Sequence, residues 1–320
     1  MLPDNCRKNI VSAVVLTKNS ALTVKKTLES IFSQHRIPDE VVVVDGSSRD
    51  DTLAIVSNFP VKVVVEPGLG YGYARNLGIK EARGDLIFFI DSDCYAEPHW
   101  IEAVLPHFCD PDVAGVTGPT HLWNTEDGVA RFIAQVGGRV HMPTEEKLVK
   151  IAPTMNLALR RKAVTDAGGF NANLVRGEDT ELTYKITQHS KIIYEPRAVV
   201  WFRGSPNLTK ASRKCLDHFI GVGQLFAIHG FNRSFVRFNL MLRGIILIIA
   251  LLSLFIAPWY VPVALFLLLL AEFIGKTLKA YRRYRDKCVV YYTVFFTLWS
   301  LLSFAIIYGF LKEKRLERRQ

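Results

Sequence analysis

Cysteine is scarce and unpatterned in this chain. The 320 residues hold five, Cys6, Cys94, Cys109, Cys215 and Cys288, an odd number with no C-x-x-C spacing. That excludes a zinc knuckle and a disulfide-stapled scaffold, and predicts reduced thiols in a cytosol-facing domain. Gly-x-Ser-x-Gly and His-Glu-x-x-His are also missing, so neither a serine-hydrolase elbow nor a zincin helix is present. Single histidines such as His99, His121, His141 and His218 have no partner spacing and read as surface or packing residues. The first residues offer only a short apolar run, Ile10–Leu16, too short for a signal-peptide core. It reads as a first strand, with the catalytic domain expected to be cytoplasmic.

Charge is abundant but uneven. Of a formal +10, much lies in Lys276–Lys287 and in Lys312–Arg319, beside apolar stretches. Such clusters match headgroup contacts and topology signals better than nucleic-acid binding, for which no basic DNA-binding fold surrounds them. Leu240–Lys276 is predominantly apolar, interrupted by Pro258–Pro262. A span needs about twenty residues, so this stretch reads as a hairpin, with spans near 240–257 and 259–276 and a third near 288–311. The favoured topology keeps the basic 276–287 loop inside, although either arrangement breaks the positive-inside tendency once. The division expected is a domain over 1–235, its 209–235 segment a membrane-surface helix, and a multi-pass cell-membrane region over 236–320.

The first hundred residues alternate strands with helices, the first two strands reading as buried on both faces. Val11–Leu16, Val41–Val44, Val61–Val65 and Leu86–Ile90 are the strands. Ser20 is expected to cap the helix bearing Val24, Leu28, Ile31 and Phe32, and Asp50 or Asp51 the next. This pattern implies a Rossmann-like α/β fold, a mostly parallel sheet with helices on both faces. Val113–Val116, Thr154–Leu159, Ile192–Tyr194 and Ala198–Phe202 read as further strands, a helix starts near Glu178, and 120–150 carries no assignable pattern.

In such sheets ligands bind at the carboxyl ends of the strands. The polar residues there are Thr17-Lys18-Asn19, Asp45-Gly46-Ser47, Glu66 and Asp91-Ser92-Asp93. On an extended backbone Asp91 and Asp93 face the same way and can hold Mg²⁺ or Mn²⁺, hard cations that complete their shell with water and phosphate oxygens. Such an ion would neutralise charge on a departing diphosphate. Gly68, Gly70 and Gly72 fit neither a dinucleotide fingerprint nor a P-loop. They form either a flexible turn feeding Arg75 and Asn76 towards a nucleotide or a plain structural turn. Glu178-Asp179 supplies either a general base or a helix cap.

Six strings in order, VVLTKNS, VVVVDGSSRDDT, EPGLGYGYARNLG, GDLIFFIDSDC, MNLALRRKAVTDAGGFN and GEDTEL, make residues 10–205 resemble a family 2 glycosyltransferase of GT-A fold. The resemblance implies inverting transfer from a nucleotide-diphosphate sugar, UDP- or GDP-linked. It implies that Thr17, Asn19 and Asp45 hold base and ribose, that Arg75 and Asn76 lie near the nucleotide, and that Asp91 and Asp93 carry ribose and metal–diphosphate contacts. Asp179 matches the catalytic base, with Glu178 an acceptor-side neighbour. Two features depart from the pattern. The histidine many relatives carry after the base is replaced by Val199-Val200-Trp201-Phe202-Arg203, and the Gln-x-x-Arg-Trp signature of processive synthases is missing. Single addition is therefore favoured, to an acceptor held at the lipid bilayer such as a polyprenyl-linked glycan. The alternatives are a polyprenyl-phosphate sugar synthase and a catalytically silent membrane scaffold.

Overall fold

The computed structural model describes residues 9–136, 143–230 and 304–317, with scattered positions between 258 and 274. Two compact units emerge, Met1–Trp123 with Gly138–Leu174 and Glu178–Arg203, and Asn124–Gly137 with Val175–Gly177 and Gly204–Gln320.

In the first unit, β1 (Val11–Thr17), α1 (Val24–Phe32), β2 (Glu40–Asp45), α2 (Thr52–Val56), β3 (Lys62–Val65), α3 (Tyr71–Glu81) and β4 (Leu86–Asp91) follow the predicted alternation. After β5 (Cys94–Ala96) come α4 (Trp100–Val104), β6 (Val113–Thr117) and β7 (Thr120–Leu122). In the second unit lies α5 (Gly128–Val136). The first unit resumes with β8 (Lys147–Leu148), β9 (Leu157–Arg160), α6 (Arg161–Asp166), α7 (Glu178–Ile186), β10 (Lys191–Tyr194) and β11 (Val200–Phe202). The eight-stranded sheet runs β3-β2-β1-β4-β9-β6-β10-β8, and β5-β11-β7 form a smaller one. All pairs of the large sheet are parallel except those of β9 with β4 and β6 and of β8 with β10. Thr154–Asn156, expected in the ninth strand, is a 3-10 turn.

Alternating residues of β4 serve both faces of the sheet. Phe88 meets Trp100 edge-on at 5.2 Å between ring centroids, and Phe89 meets Phe170 at 5.5 Å. Trp100 donates its indole N–H to buried Asn156 Oδ1 at 2.8 Å, and the Asn156 amide donates to the Pro119 and Ala198 carbonyls. This buried polar network ties the two sheets together, every group partnered.

Several local expectations are corrected. Ser20 does not cap α1, whose first residue is Val24; its carbonyl closes a turn with Thr23 and Val24, and its hydroxyl meets Ser92 Oγ at 2.8 Å. The cap of α2 is Asp51, one of the two residues expected, and Asp50 beside it accepts the Thr52 N–H at 3.1 Å. Ser92-Asp93 is a turn between β4 and β5, so the acidic tripeptide is not extended throughout. Cys94 is buried and its Sγ donates to Asp93 Oδ1 at 3.5 Å, whereas Cys109, expected as a thiol, is disulfide-bonded. His99 has partners, His35 and Glu102, that its sequence neighbourhood does not reveal.

The second unit holds α5, α8 (Leu208–His229) and α9 (Phe304–Glu317). Asn207 caps α8, its side chain accepting from Lys210 N–H at 3.0 Å. Lys210, Arg213 and Lys214 are exposed as predicted, and Ala211, Phe219, Val222 and Phe226 are buried within the protein, where α9 packs along α8. Gly221 of α8 abuts the Arg176 carbonyl, to which a Cβ would come within 2.0 Å. Gln224 Oε1 accepts the Val175 N–H at 2.9 Å, while its amide donates to Glu313 at 2.9 Å. Val175–Gly177 is thereby seated on α8. Among the described residues no helix is long and apolar enough to cross a membrane. The segments 240–257 and 288–303 lie outside the described residues, as does much of 259–276.

Candidate active site

Three parallel strands end side by side, with Thr17 in register with Asp45 and Leu16 with Asp91. The chain must turn sharply to leave this edge, and it does so with two residues at positive φ, Asn19 (50°) and Ser47 (57°). Left-handed backbone in non-glycine residues is strained and persists where surrounding bonds enforce it. Here they do. Asn19 donates its N–H to Ser48 Oγ at 2.8 Å and accepts from Arg49 N–H at 2.8 Å, and Ser47 Oγ donates to the Glu66 carbonyl at 2.7 Å.

Asp45 is fully buried and its carboxylate is saturated. Thr17 and Ser48 hydroxyls donate to Oδ1 at 2.9 and 2.6 Å, and the Ser48 N–H donates to Oδ2 at 2.8 Å. Thr17 and Asp45 thus sit together as predicted, but they shape the loop. Glu66 does similar service, accepting the Gly68 and Leu69 N–H groups at 2.7 and 2.8 Å and folding the glycine turn back over the rim. The Asn76 amide exchanges two hydrogen bonds with the Phe170 backbone, at 2.7 and 2.9 Å, and braces α3 against the following loop.

Arg75 gathers the remaining residues. Its buried guanidinium pairs with buried Glu178, lies 3.6 Å from Asp91 Oδ1, and sits over the Tyr71 and Phe170 rings. Burial disfavours its charge, yet the attraction of Glu178, Asp91 and Asp179 outweighs that cost and raises its pKa. Sequence reasoning missed this arrangement, because Arg75 and Glu178 are 103 positions apart. Asp179 stands in the first turn of α7, where Oδ1 accepts the Thr180 N–H at 2.7 Å and Oδ2 the Thr154 N–H at 3.3 Å. Gly177, at φ 87°, makes the turn into that helix.

Asp93 follows at the mouth, half-buried, its carbonyl held by the Arg203 N–H at 2.8 Å. Asp91 and Asp93, partly open carboxylates at the end of β4 and in the turn after it, suit a hard divalent cation. Such an ion needs only one or two protein oxygens when phosphate and water supply the rest. The donor set fits the metal that the sequence implied.

Residues 12–168 match the model for glycosyl transferase family 2. A mannosyltransferase from Pyrobaculum calidifontis, solved with GDP-Man and Mn²⁺, superposes with TM-score 0.61 at 18% identity, over 97% of this chain and 89% of its own. Staphylococcus aureus TarS with UDP-GlcNAc superposes with TM-score 0.54 at 22% identity, over 68% and 65%. These likenesses define a GT-A-like α/β fold. Among curated relatives, the pre-mycofactocin glycosyltransferase of Mycobacterium tuberculosis is 30% identical over 202 residues, 59% of this chain and 42% of the relative. Glycosyltransferase AglE of Haloferax volcanii is 29% identical over 187 residues, 55% and 61%. The chain thus spans about half the length of the curated relatives it matches.

Proposed function

We propose that this protein is an inverting glycosyltransferase that moves a sugar from a nucleotide-diphosphate donor to a membrane-held, polyprenyl-linked acceptor. The observation that carries the reading is the convergence of Asp91, Glu178 and Asp179 on Arg75 at the strand ends. In this reading the loops braced by Asp45 and Glu66 receive base and ribose. Asp91 and Asp93 would hold Mg²⁺ or Mn²⁺, which offsets the charge on the leaving diphosphate. Asp179 takes the proton from the acceptor hydroxyl as its oxygen bonds to the anomeric carbon and the carbon–oxygen bond to the diphosphate breaks. Base and leaving group then occupy opposite faces of the sugar, which inverts the centre. Arg75 fixes Glu178 and with it the start of α7, aiming Asp179.

The apolar stretches and basic clusters of 236–320 support multi-pass attachment to the cell membrane behind a catalytic domain over 1–235 that faces the cytoplasm. A donor screen by nucleotide release tests the whole reading, run with purified full chain, with and without divalent ion, and with soluble against lipid-linked acceptors. Ion-dependent release from a UDP- or GDP-sugar, stimulated by lipid-linked acceptor, is expected. No release from any donor in either condition would overturn it.

A further inference from the structure

A second cluster of ligating side chains lies away from the strand-end rim. His35 follows α1, while His99 and Glu102 stand at the start of α4. Glu102 Oε2 is 3.1 Å from His99 Nδ1 and 3.6 Å from His35 Nδ1, and the two imidazole rings meet edge-on at 4.1 Å. Three ligand atoms, two borderline nitrogens and one oxygen, therefore surround a common point within 4.8 Å of one another. In a tetrahedral zinc site with bonds of about 2.0–2.1 Å, neighbouring ligand atoms lie roughly 3.3 Å apart. The two separations from Glu102 Oε2, 3.1 and 3.6 Å, straddle that value.

The backbone beneath is fixed independently of these side chains. His35 N–H donates to the Pro98 carbonyl at 3.0 Å. Buried Gln34 clasps the same junction, its amide donating to the Glu97 carbonyl at 2.7 Å and its oxygen accepting the Ile101 N–H at 3.2 Å. Preset ligand positions lower the ordering cost of binding. All three side chains remain more than half exposed, at 54, 64 and 58% for His35, His99 and Glu102, so an ion can reach them from solvent.

The location separates this cluster from the diphosphate chemistry. Asp39, four residues beyond His35, accepts the Val11 N–H at the first residue of β1, whereas Thr17 ends that strand at the opposite edge. That puts roughly one strand length, about 20 Å, between His35 and the rim. The ligand types differ as well: paired imidazoles favour Zn²⁺, Ni²⁺ or Cu²⁺ over the Mg²⁺ or Mn²⁺ that carboxylates and phosphate select.

We propose that His35, His99 and Glu102 form a surface site for a borderline transition ion, with Zn²⁺ the probe of choice, clasping the loop after α1 to the start of α4. Water would complete the shell. The test is calorimetric titration of the purified full chain with zinc chloride at pH 7.5. One equivalent is expected to vanish in His35→Ala/His99→Ala and to weaken about tenfold or more in Glu102→Gln. Asp91→Asn/Asp93→Asn should retain it. Circular dichroism of each variant checks the fold, and Glu102→Gln serves should the double variant misfold. Equal zinc stoichiometry and affinity in wild type and Glu102→Gln, or loss in Asp91→Asn/Asp93→Asn alone, would overturn the proposal.

Discussion

Arg75 and Glu178 form a buried ion pair that joins α3 to the first turn of α7, each side chain 5% exposed. Neither residue can be left alone at that depth, since a buried charge without its partner loses solvation and receives nothing in return. Replacing Arg75 with Met should cost about 3–5 kcal/mol in urea-induced unfolding. Arg75→Lys should recover part of that cost without the forked geometry. Nucleotide release should fall in both, since α7 carries the proposed base.

Asp179→Asn keeps the shape of the side chain and its place at the helix start but removes the proton acceptor. Transfer to a hydroxyl acceptor should fall by about 10²–10⁴-fold, with donor affinity by calorimetry preserved. Undiminished turnover would instead favour transfer to a lipid phosphate, an acceptor already ionised at neutral pH.

Asp45→Asn places an amide N–H₂ group among three donors, the Thr17 and Ser48 hydroxyls and the Ser48 N–H. At least one buried group loses its partner, at a cost of about 1–3 kcal/mol. Because this loop is proposed to receive the base, KM for the donor should rise more than kcat falls.

Glu195 gives the fold an acid limit. Burial alone would raise its pKa, but the Arg197 guanidinium and N–H and the His107 ring outweigh burial and hold it at about 2, against an ordinary 4.5. A depressed carboxyl stabilises the fold fully above its unfolded pKa, and that contribution is lost as pH falls through the folded one. Stability should therefore decline between about pH 4.5 and 2. Glu195→Gln should flatten that part of the pH–stability curve.

Gly221→Ala tests how Val175–Gly177 is seated. The new methyl would meet the Arg176 carbonyl, and overpacking of this kind costs about 1–3 kcal/mol, offset in part by better helix propensity. The same three residues run directly into Glu178, so activity should drop along with the melting temperature.

Sequence and structure agree where burial leaves a pattern and part where it does not. Val11–Thr17, Glu40–Asp45 and Leu86–Asp91 are legible because each is apolar on both faces over several residues. Thr120–Leu122 and Lys147–Leu148 are two or three residues long and escape any periodicity. Arg161–Asp166 is a six-residue helix between a strand and two glycines, and its apolar positions are too few to register. At the rim the residue types were readable, but their partners were not. Nothing local reveals that Asp45 spends its carboxylate on its own loop, or that Asn76 spends its amide on Phe170. Those assignments are made by hydrogen bonds that only the folded chain brings within reach.

The antiparallel strand β9 lies between β4 and β6, which precede it in the chain. A nascent polypeptide emerging from the ribosome would complete β4, with Asp91 at its tip, well before Leu157–Arg160 were synthesised. Until then one flank of β4 would present bare amides and carbonyls to any neighbouring extended segment, the circumstance in which growing chains associate wrongly. Fragments that stop before residue 157 should therefore precipitate on expression, and recombinant boundaries belong beyond β9.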